Sequence, residues 1–156
     1  MTRRLLTSLV AAFGLTATLH AADRGTPSEA KAMLVKAIAH YKAVGRKQAL
    51  ADFTGKKAPF VDRDLYLFCI SPDRVIVANG GYPSFVGSSA DILKDADGKP
   101  LGKALLDAGS REGGGSVEYA HINPVSHLPE SKVAFVQKAG EDICGAGAYN
   151  PKGVMP

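Results

Sequence analysis

Two runs of apolar residues dominate the middle of the chain. Residues 60–70 are mainly aromatic and aliphatic, and residues 75–80 are β-branched until they end in Asn79 and Gly80. Ser71, Pro72 and Asp73 separate the two runs, and a proline fixes φ at the first central position of a tight turn. The pattern predicts a hairpin of two buried strands, which belongs to a sheet that other elements cover.

An amphipathic helix is predicted ahead of this hairpin. Thr26 offers a capping hydroxyl, Pro27 suits the first helical position, and Glu29 stands where its side chain reaches back to the cap. Gly45 marks the end of the helix. Apolar residues recur at spacings of three and four and form one stripe: Ala30, Met33, Leu34, Ala37, Ile38 and Tyr41.

The remaining elements complete an α+β pattern. A shorter helix is expected at residues 47–53, a long irregular segment at 81–100, and another short helix at 101–108, which Gly109 ends. Three further strands are predicted at 116–122, 133–138 and 142–149. The count is five strands with helices before and between them, in a chain long enough for one domain.

The N-terminus predicts export. Arg3 and Arg4 precede an uncharged apolar stretch from Leu5 to Leu19, and the small residues Ala21 and Ala22 follow. This pattern is typical of a secretory signal, so residues 1–21 are assigned to a signal peptide and 22–156 to a single domain. The alternative is an uncleaved N-terminal anchor, although the stretch is shorter than the ~20 residues of a spanning helix. Either reading places the domain in the periplasm or outside the cell.

Charge and motifs narrow the function classes. The net charge of +4 includes Arg3 and Arg4, and the other basic residues are scattered without a basic stripe, so no nucleic-acid partner is expected. No nucleophile with an adjacent base can be named, and the sequence therefore predicts no enzyme. The histidines lack the spacing of a helical metal site, and neither a metal nor a cofactor is expected.

A set of segments spread along the chain resembles the single Cache domain family. The resemblance covers nearly everything after residue 25, and the order and spacing of its segments agree throughout. The segments are 60–68, 77–80, 86–87, 95–99, 115–119, 123–124, 132–136 and 145–149.

The resemblance implies a PAS-like antiparallel sheet with a long N-terminal helix. Such domains usually form the extracytoplasmic sensors of chemoreceptors and histidine kinases, and they hold a small organic ligand between the sheet and its covering loops. The family often has His at the position of Asn79 and an aromatic residue, commonly Trp, near Ser116 and His121. Ligand identity is therefore not carried over.

The residues themselves also indicate a pocket. Tyrosines combine an apolar body with a polar tip, and those at 66, 82, 119 and 149 fall on strands or on the long loop. A short carboxylate would be held by Lys132, with Arg63 as a second candidate cation. The predicted ligand-binding residues are Tyr66, Phe68, Asn79, Tyr82, Tyr119, His121 and Lys132.

Two alternatives stay open at this point. The helix stripe of Met33, Leu34, Ile38 and Tyr41 could instead form a homodimer or dock onto a membrane receptor or kinase, with a vestigial pocket. Cys69 and Cys144 form either a disulfide or two buried thiols. The PAS-like fold implied by the resemblance makes their strands neighbours, so a cross-strand pair is conceivable.

Overall fold

The computed structural model describes residues 24–56 and 58–150. The predicted signal peptide, residues 1–21, lies outside the described residues. The helices are α1 Pro27–Val44, α2 Arg46–Thr54 and α3 Gly102–Gly109. The strands are β1 Val61–Asp62, β2 Leu65–Ile70, β3 Ile76–Asn79, β4 Gly115–Ile122, β5 Pro129–Ala139 and β6 Asp142–Asn150, with 3-10 turns at Pro83–Phe85 and Ala90–Ile92.

Helix α1 begins as its sequence predicts. The Thr26 hydroxyl accepts a hydrogen bond from Glu29 N at 3.2 Å, and the Glu29 carboxylate accepts one from Thr26 N at 2.7 Å. The pKa of Glu29 is lowered to about 2, first by its hydrogen bond from the Arg63 guanidinium and then by its bonds from Thr26. Two otherwise unpaired amide groups of the first turn are thereby satisfied.

The six strands form one antiparallel sheet in the order β1-β2-β6-β5-β4, and β3 pairs with β2. The turn before β3 forms as predicted, because Ser71 N donates to Val75 O and Arg74 N to Ser71 O. The expected single strand over residues 60–70 is wrong. Arg63 adopts a φ of 56°, and the buried Asp64 accepts a bond from Gly25 N, so the run splits into β1 and β2.

Strand β2 separates two parts of the core, and all six of its residues are buried. Leu65, Leu67 and Cys69 face α1 and α2, whereas Tyr66, Phe68 and Ile70 face the other way, toward α3 and the long loop. This alternation follows from the two-residue period of a strand. Helix α1 therefore covers one face of the sheet, and the second face is left for the loop between β3 and α3.

The apolar stripe of α1 is buried within the domain by this packing. Met33, Leu34 and Tyr41 are buried against the sheet and α2, and Ile38 is partly buried against the same cluster. The interpretation that this stripe docks onto a partner is wrong, because the domain's own core occupies it.

Strands β2 and β6 are joined by a disulfide between Cys69 and Cys144, which stand directly opposite each other in the register. Both residues are fully buried on the α1 side of the sheet. In the described part of the chain, no helix has the length and apolar character needed to cross a membrane.

Candidate ligand-binding site

A small cavity lies on the face of the sheet opposite α1. Its polar and aromatic wall is formed by Tyr66 and Phe68 from β2, Asn79 at the end of β3, and Tyr119 and His121 from β4. The space open to the centres of water-sized molecules is about 30 Å³. The rest of the wall is mainly apolar and comes from the ends of β2 and β3, the loop and the start of α3; it comprises Ile70, Ile76, Tyr82, Phe85, Leu93, Leu101 and Leu105.

The Tyr82 ring closes the cavity from the loop side. It meets Tyr66 and His121 edge to face, with ring centroids 6.0 and 5.4 Å apart, and it stacks on Phe85 at 5.5 Å. The Tyr82 hydroxyl donates to Ile122 O at 2.5 Å, and Tyr82 N donates to the Asn79 side chain at 2.8 Å. The loop is therefore fastened to β4 on one side and to the end of β3 on the other.

Six of the seven predicted ligand-binding residues line this one cavity. The seventh, Lys132, does not line the cavity but packs against the ring of Tyr66, which does. Its Nζ lies 3.8 Å from the centre of that ring and 4.5 Å from the centre of the Tyr149 ring. The face of an aromatic ring attracts a cation, so both rings favour the ammonium form of Lys132.

Burial acts on Lys132 in the opposite direction. The residue is 1% exposed, and among the described residues no carboxylate lies within ion-pair distance of its Nζ. Desolvation lowers the pKa of Lys132 to about 7, and the more distant charge of Asp64 opposes this change only in part. The domain thus holds a buried amine whose charge has no partner of opposite sign in direct contact within the part of the chain that the structure describes.

Tyr149 connects this lysine to the cavity wall. Its hydroxyl lies 3.4 Å from Lys132 Nζ, 3.3 Å from the Tyr66 hydroxyl and 3.5 Å from His121 Nδ1, and it donates to Ile122 O at 2.9 Å. The sequence groups Tyr149 with the tyrosines that indicate a pocket, but Tyr149 is not among the predicted ligand-binding residues. The apolar wall from Leu101 and Leu105 was also missed, although their spacing of four on a short helix is a signal for one buried face.

The titrating groups around the cavity favour an anion over a cation. Burial raises the pKa values of Tyr66, Tyr119 and Tyr149, so all three hydroxyls stay protonated and can donate hydrogen bonds. Burial, together with the charge of Lys132, lowers the pKa of His121, so its imidazole is neutral near pH 7. Hydroxyl donors and one amine therefore gather here without an acidic side chain in the wall.

Arg63, the second candidate cation, lies away from the cavity. Its guanidinium donates to Glu29 at 2.7 Å, to Asp62 at 2.8 Å and to Arg24 O at 2.9 Å. It ties the turn between β1 and β2 to the start of α1. The prediction that Arg63 assists in binding a carboxylate in this cavity is wrong, because its donors point to these partners instead.

A family model for the single Cache domain, described as "Single Cache domain 2", matches residues 16–142. The chain belongs to this family. Cache domains are sensor and ligand-binding domains rather than catalytic ones, and in homologues they are extracytoplasmic parts of membrane receptors. Among curated proteins, none matches this sequence.

Three solved structures share the Cache fold with this chain, each over 78% of its length. A methyl-accepting chemotaxis protein from Vibrio parahaemolyticus RIMD 2210633 has a TM-score of 0.65 at 18% identity, with 86% of that chain covered. A periplasmic sensor domain of a chemotaxis protein has a TM-score of 0.59 at 20% identity, with 88% covered. A Cache chemosensory domain described as recognising carboxylic acid has a TM-score of 0.58 at 21% identity, with 86% covered.

Proposed function

We propose that this chain is an exported sensor protein whose Cache domain binds a small organic anion, such as a short carboxylate, in the cavity beside Tyr66. The observation that carries the proposal is Lys132, a buried amine without a carboxylate in contact, linked through Tyr149 to the cavity wall. The carboxylic acid recognised by one structural neighbour belongs to the same chemical class.

Electrostatics explains why an anion suits this site. Opposite charges attract more strongly in the protein, at an effective dielectric constant of about 20, than in bulk water at about 80. The ammonium form of Lys132 would gain that interaction, whereas the amine form would not, so anion binding raises the pKa of Lys132. The Tyr66 and Tyr119 hydroxyls, which belong to the cavity wall, supply donors that orient the carboxylate.

The size of the cavity limits the ligand and its affinity. The 30 Å³ of cavity volume that is open to the centres of water-sized molecules would hold about two water molecules, since each needs about 10–15 Å³. A ligand of about four heavy atoms gains at most roughly 6 kcal/mol, which corresponds to tens of micromolar. Larger acids have to displace the Tyr82 ring and break its bond to Ile122 O.

Calorimetry against acetate, lactate and pyruvate at pH 6 tests the proposal. The matched pair of variants is Lys132→Met and Lys138→Met, because both lysines lie on β5 but only Lys138 is exposed. Binding is expected in the wild type and in Lys138→Met, and its loss is expected in Lys132→Met. If the wild type binds none of the three acids, or if both variants bind them equally well, the proposal is wrong.

A second candidate is a module that docks onto a membrane receptor or kinase, or that dimerises through α1, with a vestigial pocket. The small cavity volume favours it. Since the inner stripe of α1 is buried, such docking has to use the outer face, where Val35 is exposed. Sedimentation separates the two functions: a stable dimer that no acid affects supports the module, and a monomer that the acid stabilises supports the sensor.

A further inference from the structure

The turn between β4 and β5 presents a group of large apolar side chains to solvent. Ile122, Val125 and Leu128 are 43%, 57% and 61% exposed. Over the described residues, only Val35, Val44, Val86 and Ile92 are other large hydrophobic side chains with comparable exposure; two lie nine residues apart on α1 and two lie in the loop between β3 and α3. A concentrated apolar surface of this kind marks a contact site rather than ordinary scatter. We call residues 122–128 the apolar turn.

The apolar turn is rigidly built. Asn123 is 1% exposed; its side-chain oxygen accepts from Val125 N at 2.8 Å, and its backbone oxygen accepts from His127 N at 2.8 Å. Asn123 N donates to Leu128 O at 2.9 Å, and the Ser126 hydroxyl donates to Glu130 at 2.5 Å. The three apolar side chains are thus held outward on a fixed framework, which lowers the entropy cost of contact with a partner.

Both ends of the described chain lie at the apolar turn. Arg24 forms an ion pair with Glu130, and the amide group of Asn123 donates to Asp64, which also accepts from Gly25 N. At the other end of the domain, Asn150 is paired with Ser131 across β5 and β6. The chain therefore enters and leaves the domain beside the apolar turn.

The segment that precedes Arg24 indicates what covers the apolar turn. The uncharged apolar stretch ends at Leu19, five residues before Arg24. Five residues span at most about 18 Å when fully extended. In the alternative of an uncleaved N-terminal anchor, this stretch is held in a bilayer, and the apolar turn is kept within a short distance of the same bilayer surface.

We propose that the apolar turn is a membrane-contact surface, and that Ile122, Val125 and Leu128 rest in the lipid interface of a chain that retains its N-terminal stretch. Charge does not drive this contact. Among the described residues, Arg24 and Arg63 lie at this end, and both are paired with acidic side chains. The contact is apolar, and a neutral phosphatidylcholine surface is the appropriate partner.

The chain contains no Trp, so one introduced Trp reports on its own surroundings. Two reporters match in exposure: Leu128→Trp in the apolar turn and Val35→Trp on α1, at positions 61% and 60% exposed. Each full-length variant is reconstituted into phosphatidylcholine vesicles with and without brominated acyl chains. We expect the Leu128→Trp emission to shift to the blue and to be quenched by the brominated lipid, and the Val35→Trp emission to do neither.

Two results would overturn the proposal. One is equal quenching, or no quenching, of the two reporters in folded, vesicle-bound protein. The other is a blue shift of Leu128→Trp that depends on protein concentration and needs no lipid, since this would assign the apolar turn to a second copy of the chain. Val125→Trp provides the same readout if Leu128→Trp fails to fold.

Discussion

Replacing Lys132 by Met is expected to make the domain more stable while abolishing anion binding. Met has nearly the length of the lysine stem and carries no charge, so it fills the space between the Tyr66 and Tyr149 rings. The variant removes the buried amine and its 3.4 Å contact with the Tyr149 hydroxyl. Tyr149 keeps its bond to Ile122 O and is not left unpaired.

The structure gives the magnitude of the effect. A pKa of about 7 in place of 10.5 for Lys132 corresponds to roughly 5 kcal/mol of unfavourable free energy at low pH, at about 1.4 kcal/mol for each pKa unit. A folded-state pKa of about 7 already includes the attraction of the two rings for the ammonium form, so this attraction is not subtracted again. The net gain expected for Lys132→Met is about 3–5 kcal/mol at pH 6.

The sign of the pH dependence follows from linkage. Between pH 7 and 10.5 the unfolded chain keeps the Lys132 proton and the folded chain releases it, so the free energy of unfolding of the wild type rises with pH. The cost of burying Lys132 is fully present below pH 7 and disappears above pH 10.5. The advantage of the variant should therefore be smaller at pH 9 than at pH 6, by roughly 1–3 kcal/mol.

Urea denaturation of the wild type, Lys132→Met and Lys138→Met at pH 6 and pH 9 measures this difference. The exposed Lys138 on the same strand is the control, and its replacement should change the free energy of unfolding by less than about 0.5 kcal/mol at either pH. A Lys132→Met protein that is less stable than the wild type at pH 6, or whose advantage is the same at both pH values, would refute the reasoning.

Three further predictions concern the framework of the site. Gly147→Ala would place a Cβ 2.6 Å from Lys132 Cε and 2.8 Å from Val133 O, so it should lower the free energy of unfolding by about 1–3 kcal/mol; an unchanged urea midpoint would contradict this. Tyr82→Phe loses the bond to Ile122 O and should cost about 1 kcal/mol, while admitting larger acids in calorimetry; unchanged acid selectivity would count against a closing role. Replacing Cys69 and Cys144 together by Ala opens a crosslink across 75 residues and should cost about 4 kcal/mol, whereas a melting temperature equal to that of the wild type would show that the disulfide adds nothing.

Local signals in the sequence predicted much of the fold. The Thr26 cap with Glu29, the Pro72 turn and the end of α3 near Gly109 each depend on residues a few positions apart, and each element formed where it was expected. The break at Arg63 could not be predicted in this way. It depends on Asp64 accepting a hydrogen bond from Gly25, which is 39 residues distant in the chain.

The same difference between local signals and long-range contacts applies to the site. Aromatic and polar residues on predicted strands identified the cavity wall, because strand alternation placed Tyr66 and Phe68 on one face. The burial of the Lys132 side chain was harder to predict, although Lys132 shares a face of β5 with the buried Ala134 and Val136. Its contacts with Tyr66 and Tyr149 depend on the packing of three strands, which no local pattern specifies.

The most direct test of the proposed function is the titration of Lys132 itself. In protein with ¹³C-labelled lysine side chains, the Cε signal that is missing from Lys132→Met is followed by NMR against pH, with and without saturating acetate, lactate or pyruvate. We expect a midpoint near pH 7 for the free protein, which at least one of these acids raises by about one pH unit or more. A midpoint near 10.5 in the free protein, or one that none of the three acids moves, would contradict this expectation.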